Sequence, residues 1–140
     1  MYEERLLAIE DDEPIAALIG KVATEAGFAT ATVSKPQDIE THYQLIRPHA
    51  IILDILMPEL DGFDVLEFLH KQQSKARIII LSGSHYRDMA ERIGEAYGLQ
   101  IVASLPKPFR VQQLRVTLQE IRYSLQVDAG MPLPSSLKVS

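Results

Sequence analysis

Along the chain, short runs of consecutive apolar residues alternate with longer segments in which apolar positions recur every three or four residues. The runs are too brief and too rich in β-branched residues to be helices, so five strands are expected: Leu6 to Ile9, Phe28 to Val33, Ala50 to Leu53, Arg77 to Leu81 and Gln100 to Leu105. Several are apolar at every position, as in a parallel sheet covered on both faces. The first helix is expected to begin near Pro14, to bury Ile15, Leu18, Ile19, Val22 and Ala26, and to stop at Gly27. Ser34 and Gln37 resemble a capping box opening a second helix, with Pro36 in its first turn and an end before Pro48. A third, after Asp61-Gly62, buries Val65, Leu66 and Leu69. A fourth, from about His85 to Tyr97, buries Met89, Ile93 and Ala96, and a fifth carries Val111, Leu114, Leu118, Ile121 and Leu125 on one stripe. Strict strand–helix alternation predicts an α/β, doubly wound fold with ligands beyond the carboxyl ends of the strands. From Val127 to Ser140 the chain turns to Asp, Gly, Pro and Ser without periodicity, the signature of a tail or linker.

Composition narrows this picture. At 140 residues the chain has room for one substantial core, and its net charge of −5 gives no sequence-wide attraction for phosphate backbones or anionic lipid. Direct nucleic-acid binding is therefore not expected. Without cysteine there are no disulfides or thiolate metal sites, and no stretch approaches a membrane span, which makes a cytoplasmic, soluble protein the simplest expectation. The first 13 positions hold Glu3, Glu4, Glu10, Asp11, Asp12 and Glu13, either a solvated edge or a cation site.

The strand-end rule selects Glu10, Asp11 and Asp12 after the first strand, Asp54 after the third, Ser82 after the fourth and Lys107 past the fifth. Facing carboxylates repel unless a cation lies between them, and an oxygen-only cluster suits a Mg²⁺ that keeps some of its waters. Asp12 or Glu13 has a plainer role as complement to the positive end of the first helix. Asp54 follows Ile51-Ile52-Leu53, where a buried charge needs a partner, and Lys107 is the candidate. Together they form either a phosphoryl-binding constellation or a plain salt bridge. Ser82-Gly83-Ser84 offers hydroxyl donors with little bulk, or simply a turn. No Gly-rich phosphate loop is present, and His42, His49, His70 and His85 lack metal-ligand spacing and read as surface residues on helix faces.

Four ordered motifs resemble the response-regulator receiver (CheY-like) family of two-component signalling, over about Arg5 to Gln126: Leu7-Ala-Ile-Glu-Asp-Asp-Glu-Pro14, Asp54-Ile-Leu-Met-Pro-Glu-Leu-Asp-Gly-Phe63, Ile80-Leu-Ser-Gly83 and Leu105-Pro-Lys-Pro-Phe109. The resemblance implies a (βα)5 flavodoxin-like domain over residues 1–126, with 127–140 as a flexible tail or linker to an output domain. It implies that Asp54 takes a phosphoryl group from phosphohistidine on a sensor histidine kinase or phosphotransfer protein. Mg²⁺ would be held by Asp11, Asp54 and the Leu56 backbone carbonyl, with Glu10 acting mainly through a metal-bound water. Ser82 and Lys107 would bind phosphoryl oxygens, the Lys107-Pro108 bond would be cis, and the domain would catalyse only its own phosphorylation and dephosphorylation.

Ser104 stands where the family often has an aromatic residue coupled to the hydroxyl residue, so the usual route of signal transmission is in question while the chemistry is not. The Ser82-to-Lys107 segment is somewhat long, which suggests an extended fourth helix. Partner expectations are an output domain, by weak analogy a cyclic-di-GMP phosphodiesterase, and a homodimer through the fourth helix, fifth strand and fifth helix. Competing readings are a Mg²⁺-dependent phosphatase or phosphotransferase with an aspartyl nucleophile, against which Leu56 stands where a second acid is common, and a pseudo-receiver used only for protein binding, against which Glu10, Asp11, Asp54, Ser82 and Lys107 count.

Overall fold

The computed structural model describes residues 3–58, 60–83 and 85–130, so Ser84 and the tail from Met131 onward lie outside the described residues. The strands are β1 (Arg5–Ile9), β2 (Ala29–Val33), β3 (Ala50–Asp54), two-residue β4 (Leu56–Met57) and β5 (Leu60–Asp61), β6 (Arg77–Ser82) and β7 (Gln100–Pro106). The helices are α1 (Glu13–Glu25), α2 (Pro36–Ile46), α3 (Gly62–Lys71), α4 (Arg87–Ala96) and α5 (Val111–Asp128). Five strands form one parallel sheet in the order β2-β1-β3-β6-β7, while β4 and β5 make a small antiparallel hairpin within the connection from β3 to α3.

Each central strand divides its apolar residues between two cores by alternation. Leu6, Ala8, Ala50, Ile52, Ile79 and Leu81 pack with α1 and α5, where Ile19, Val22, Leu114 and Leu118 are buried. Leu7, Ile9, Ile51, Leu53, Ile78 and Ile80 pack with Ile39 of α2, Val65, Leu66 and Leu69 of α3, and Ala90 of α4. Burying such a Leu or Ile is worth about 1.5–3 kcal/mol, which is why consecutive apolar residues commit a strand to a sheet covered on both sides. The doubly wound α/β fold expected from the sequence is the one observed.

Several local expectations are corrected. The capping box at Ser34 does not form: Lys35 is the N-cap, extended at φ −115° and ψ 134°, and no side chain caps α2. Pro36 disfavours helical backbone at the residue before it, which places the boundary one position later than Ser34 requires. Leu18 faces outward on α1, where Ala16 and Ala23 are buried instead. On α4 the buried residues are Ala90 and Gly94, with Ile93 partly buried, while Met89 and Ala96 are exposed. A side chain at position 94 would collide with Ile101 of β7, so the helix approaches the sheet through its smallest residues rather than its largest. Nor is α4 extended: its ten residues equal those of α3. The additional length lies partly in a bulge on β7, whose pairing skips Val102 between Ile101 and Ala103. At the other end, α5 runs two residues into the segment read as tail, through Asp128.

Candidate functional site at the carboxyl edge of the sheet

Parallel pairing brings the strand ends together. Ile9 lies beside Leu53, Asp54 beside Leu81, and Ser82 beside Pro106, so Glu10, Asp54, Ser82 and Lys107 share one edge. Lys107 Nζ donates to Glu10 Oε1 at 2.7 Å and to Asp54 Oδ2 at 2.6 Å. The other Asp54 oxygen, Oδ1, accepts the Leu56 N–H at 3.2 Å. Carboxylate oxygens of Glu10, Asp11 and Asp54 lie within 4.8 Å of one another. The Lys107 N–H donates to the Ser82 carbonyl at 3.1 Å, tying the lysine to β6, and the Lys107-Pro108 bond is cis.

Glu10 and Asp54 are 0% and 1% exposed. Burial, reinforced by the hydrogen bond and charge of Asp54 and only partly offset by Lys107, pushes the Glu10 carboxyl up to about 8. Burial pulls the other way on Lys107, but its bonds to Asp54 and Glu10 outweigh it and hold the ammonium above its ordinary range. The arrangement is short of positive charge, and Glu10 Oε2 is buried with no hydrogen-bond partner. Hard oxygen donors, excess acid and an unpartnered carboxylate oxygen fit a divalent cation such as Mg²⁺. Asp12 belongs to the helix instead: its Oδ1 accepts the Ile15 N–H at 3.1 Å as N-cap of α1.

The loops around this edge are positioned by equally local causes. Gly62 donates to the Ile55 carbonyl at 2.9 Å, and a Cβ there would fall 2.6 Å from Ile55 Cα, so the hairpin folds back this closely only over glycine. Asp61 Oδ1 accepts the Phe63 N–H at 2.8 Å as N-cap of α3. Buried Ser82 donates its hydroxyl to the Gly83 carbonyl at 2.6 Å. That same carbonyl accepts the Tyr86 N–H at a longer 3.4 Å, and Tyr86 is the N-cap of α4. Its ring meets Phe63 edge-on, with centroids 6.5 Å apart. Ser104 Oγ is buried without a partner and lines a cleft between α4 and β7 with Glu91, Glu95 and Leu99.

Sequence reasoning selected the members of this cluster but missed two contacts. One is direct binding of Glu10 by Lys107, for which the excess of acids over cations at the strand ends is the available signal. The double use of the Gly83 carbonyl has no sequence signature. His49 is also corrected: it lies in the turn before β3, partly buried, with Nδ1 accepting the Arg5 N–H at 2.9 Å, rather than on a helix face. Burial and the Arg5 charge lower its pKa.

Residues 6–119 match the family model described as the response regulator receiver domain. The chain is 28% identical over 121 residues to a probable transcriptional regulator, ycf27, of Cyanophora paradoxa, covering 85% of this chain and 48% of that protein. The corresponding figures for the ycf27 protein of Porphyra purpurea are 26% over 137 residues, 96% and 54%. The chain thus spans about half the length of these curated relatives. Among solved structures, a response regulator from Colwellia psychrerythraea superposes with a TM-score of 0.76 at 24% identity, covering 86% of this chain and 97% of that one. A Francisella response regulator receiver domain gives 0.73 at 25%, covering 88% and 99%. With its acidic strand-end cluster, its five-stranded parallel sheet and a family match over most of its length, the chain belongs to the response regulator receiver domain family.

Proposed function

We propose that Asp54 is the phospho-acceptor of this receiver domain. The observation that carries the reading is the buried Asp54 carboxylate held 2.6 Å from Lys107 and within 4.8 Å of two further acids. An Asp54 oxygen attacks the phosphorus of a phosphohistidine on a sensor histidine kinase or phosphotransfer protein; the new P–O bond forms as the P–N bond breaks, leaving an aspartyl phosphate. Lys107 sits where it can neutralise a phosphoryl oxygen, and the Ser82 hydroxyl can leave Gly83 to donate to another. Glu10, Asp11, Asp54 and the Leu56 carbonyl would hold Mg²⁺, which supplies positive charge to offset that of the transferring group. Since phosphoryl transfer depends chiefly on position and charge, these residues suffice for the domain to catalyse its own phosphorylation and dephosphorylation, acting as a switch rather than as an enzyme on other substrates.

The receiver reading covers residues 1–126, with α5 carrying on through Asp128, and the segment 127–140 would serve as a tail or as a linker to an output domain. The curated relatives, whose length this chain half spans, are probable transcriptional regulators, which favours transcriptional control as that output over a cyclic-di-GMP phosphodiesterase. Exposed Met89 and Val102 make the surface around α4, β7 and α5 the proposed homodimer face. Among the described residues no helix is long and apolar enough to cross a membrane, in keeping with a cytoplasmic location. Incubation with acetyl phosphate and Mg²⁺, followed by intact mass measurement, should show one base-labile phosphoryl adduct. Equal labelling of Asp54→Asn would refute the assignment.

A further inference from the structure

The amino edge of the sheet, opposite the acidic site, carries a second cluster of charge with the other sign. Between the turn joining α2 to β3 and the turn joining α3 to β6 lies a cleft of about 390 Å³, lined by Arg47, His49, Lys75 and Arg77 with the polar side chains of Gln44 and Gln72 among its other walls. In a chain of net charge −5, the lining of this cleft holds three Lys or Arg residues and no acidic one. Capping of helix carbonyl ends is the ordinary use of such cations, but it is met here by other groups. Arg5 Nε and a terminal nitrogen donate to the carbonyls of Ile46 and Arg47, and backbone N–H groups of Gln73 and Ser74 close α3. Neither Arg47 nor Lys75 has an ion-pair partner among the described residues.

Backbone conformation points to the same place. Arg47 (φ 49°) and Gln73 (φ 53°) are the two non-glycine residues with positive φ among the described residues, and both lie in the turns that frame the cleft. Such a conformation is strained for a non-glycine residue, and glycine is the usual solution after a helix. At position 47 the chain instead places a guanidinium beside the cavity. Arg77 already carries an anion: Asp128, in the last turn of α5, binds its guanidinium from an exposed position. Burial first, and then the charges of Arg5 and Arg77 against the opposing charge of Glu4, lower the pKa of His49 beside them.

We propose that this cleft is a binding site for a small phosphate-bearing anion, held by Arg47, Lys75 and Arg77, with the Asp128 carboxylate as its internal competitor. Its volume suits a small phosphorylated molecule, and two planar guanidinium forks match phosphate oxygens better than ammonium groups do. Occupation would free Asp128 and so reach the end of α5, on the side from which the chain continues. The inference is independent of the chemistry at Asp54.

Titration of the full chain with inorganic phosphate and then pyrophosphate tests it, followed by amide NMR shifts in EDTA with NaCl holding ionic strength constant. The expected result is saturable shifts at residues 44–49 and 72–77. Affinity should fall about tenfold or more in the exposed charge-reversal pair Arg47→Glu/Lys75→Glu, and rise severalfold in Asp128→Asn. Saturation only near Ser82 and Lys107, unsaturable shifts spread over all basic residues, or affinities unchanged in the charge-reversal pair or in Asp128→Asn would each overturn the proposal. Retention of the wild-type amide spectrum outside the cleft shows that the variants remain folded.

Discussion

Strand β1 has a buried glutamate just before it and another just after it, and the two have opposite fates. Glu4, 3% exposed, meets one donor and one cation from α5: Gln126 Nε2 donates to its Oε1 at 2.8 Å, and the Arg122 guanidinium forms an ion pair with it at 3.6 Å. Glu10, 0% exposed, meets a second buried acid, shares its one cation with that acid, and keeps an oxygen with no partner. The first pins α5 to the sheet. The second leaves an electrostatic imbalance that a fold gains nothing by keeping, and that a cation followed by a phosphoryl group would relieve. Burial of charge alone does not mark the functional edge; burial without enough compensating charge does.

The sharpest way to break this contrast is to remove the one cation at the acidic edge. Lys107→Ala should slow phosphoryl uptake from acetyl phosphate by about 10²-fold or more, the size of effect seen when a preorganised charge at a reacting centre is lost. It should also make folding more dependent on Mg²⁺. A Lys107→Ala protein that labels at the wild-type rate would mean that the lysine is only a structural partner of Asp54 and Glu10.

At the other end of β1, Glu4→Ala should lower stability by about 1–3 kcal/mol, because Gln126 loses the acceptor of its 2.8 Å hydrogen bond and Arg122 loses its ion-pair partner. Phosphoryl uptake should remain. Urea unfolding and the acetyl phosphate assay, run on the same sample, separate the two roles. Loss of labelling in a protein still folded at the assay temperature would join the two glutamates functionally and erase the distinction drawn between them.

A smaller effect follows from the sign of the Glu10 shift. Its pKa in the folded protein, about 8, lies above the ordinary 4.5, so between these values the folded state keeps a proton that the unfolded state releases. Without metal, the contribution of this group to stability is complete below about pH 4.5, falls as pH rises and is lost through about pH 8. Thermal unfolding in EDTA should show that decline, and Glu10→Gln should flatten it. Mg²⁺ should bind more tightly as pH rises across the same window, with proton release on binding. A metal-free stability that climbs toward pH 8 would remove the imbalance on which the comparison rests.

How much of this was legible in the sequence depends on whether a feature is decided locally or by approach of distant parts. The five sheet strands, and the convergence of Glu10, Asp11, Asp54, Ser82 and Lys107, follow from strand–helix alternation and from residue types at strand ends, and the described structure brings them together. The orientation of α4 was not legible. Helical periodicity ranks Met89 above Gly94 as a core residue, yet close packing on Ile101 selects the residue without a side chain. Proline steric effects at Lys35-Pro36 displaced a cap whose letters were otherwise right. Glu4 carried no signal at all, since its partners are more than a hundred positions away on α5.

The smallest expected effect is the most local, and it concerns how the acidic edge speaks to the rest of the domain. In the structure the Ser82 hydroxyl and the Tyr86 N–H compete for one acceptor, the Gly83 carbonyl, at 2.6 and 3.4 Å. A phosphoryl group on Asp54 offers Ser82 a charged acceptor, a bond roughly twice as strong as one to a neutral carbonyl. Once the hydroxyl turns away, the Gly83 carbonyl is left to Tyr86, the N-cap of α4, whose ring rests against Phe63 of α3. Ser104 has no ring to swing and no hydrogen bond to exchange, so the change should travel through the loop into α4 rather than through β7. Amide hydrogen exchange with and without beryllofluoride, whose Asp54 adduct stands in for the acyl phosphate, should show altered protection across residues 82–97. Ser82→Ala should largely abolish that change while leaving the adduct itself in place. A response centred on the strand around Ser104, or one indifferent to Ser82→Ala, would mean that the two ends of β6 and β7 are coupled by some other contact than the shared carbonyl.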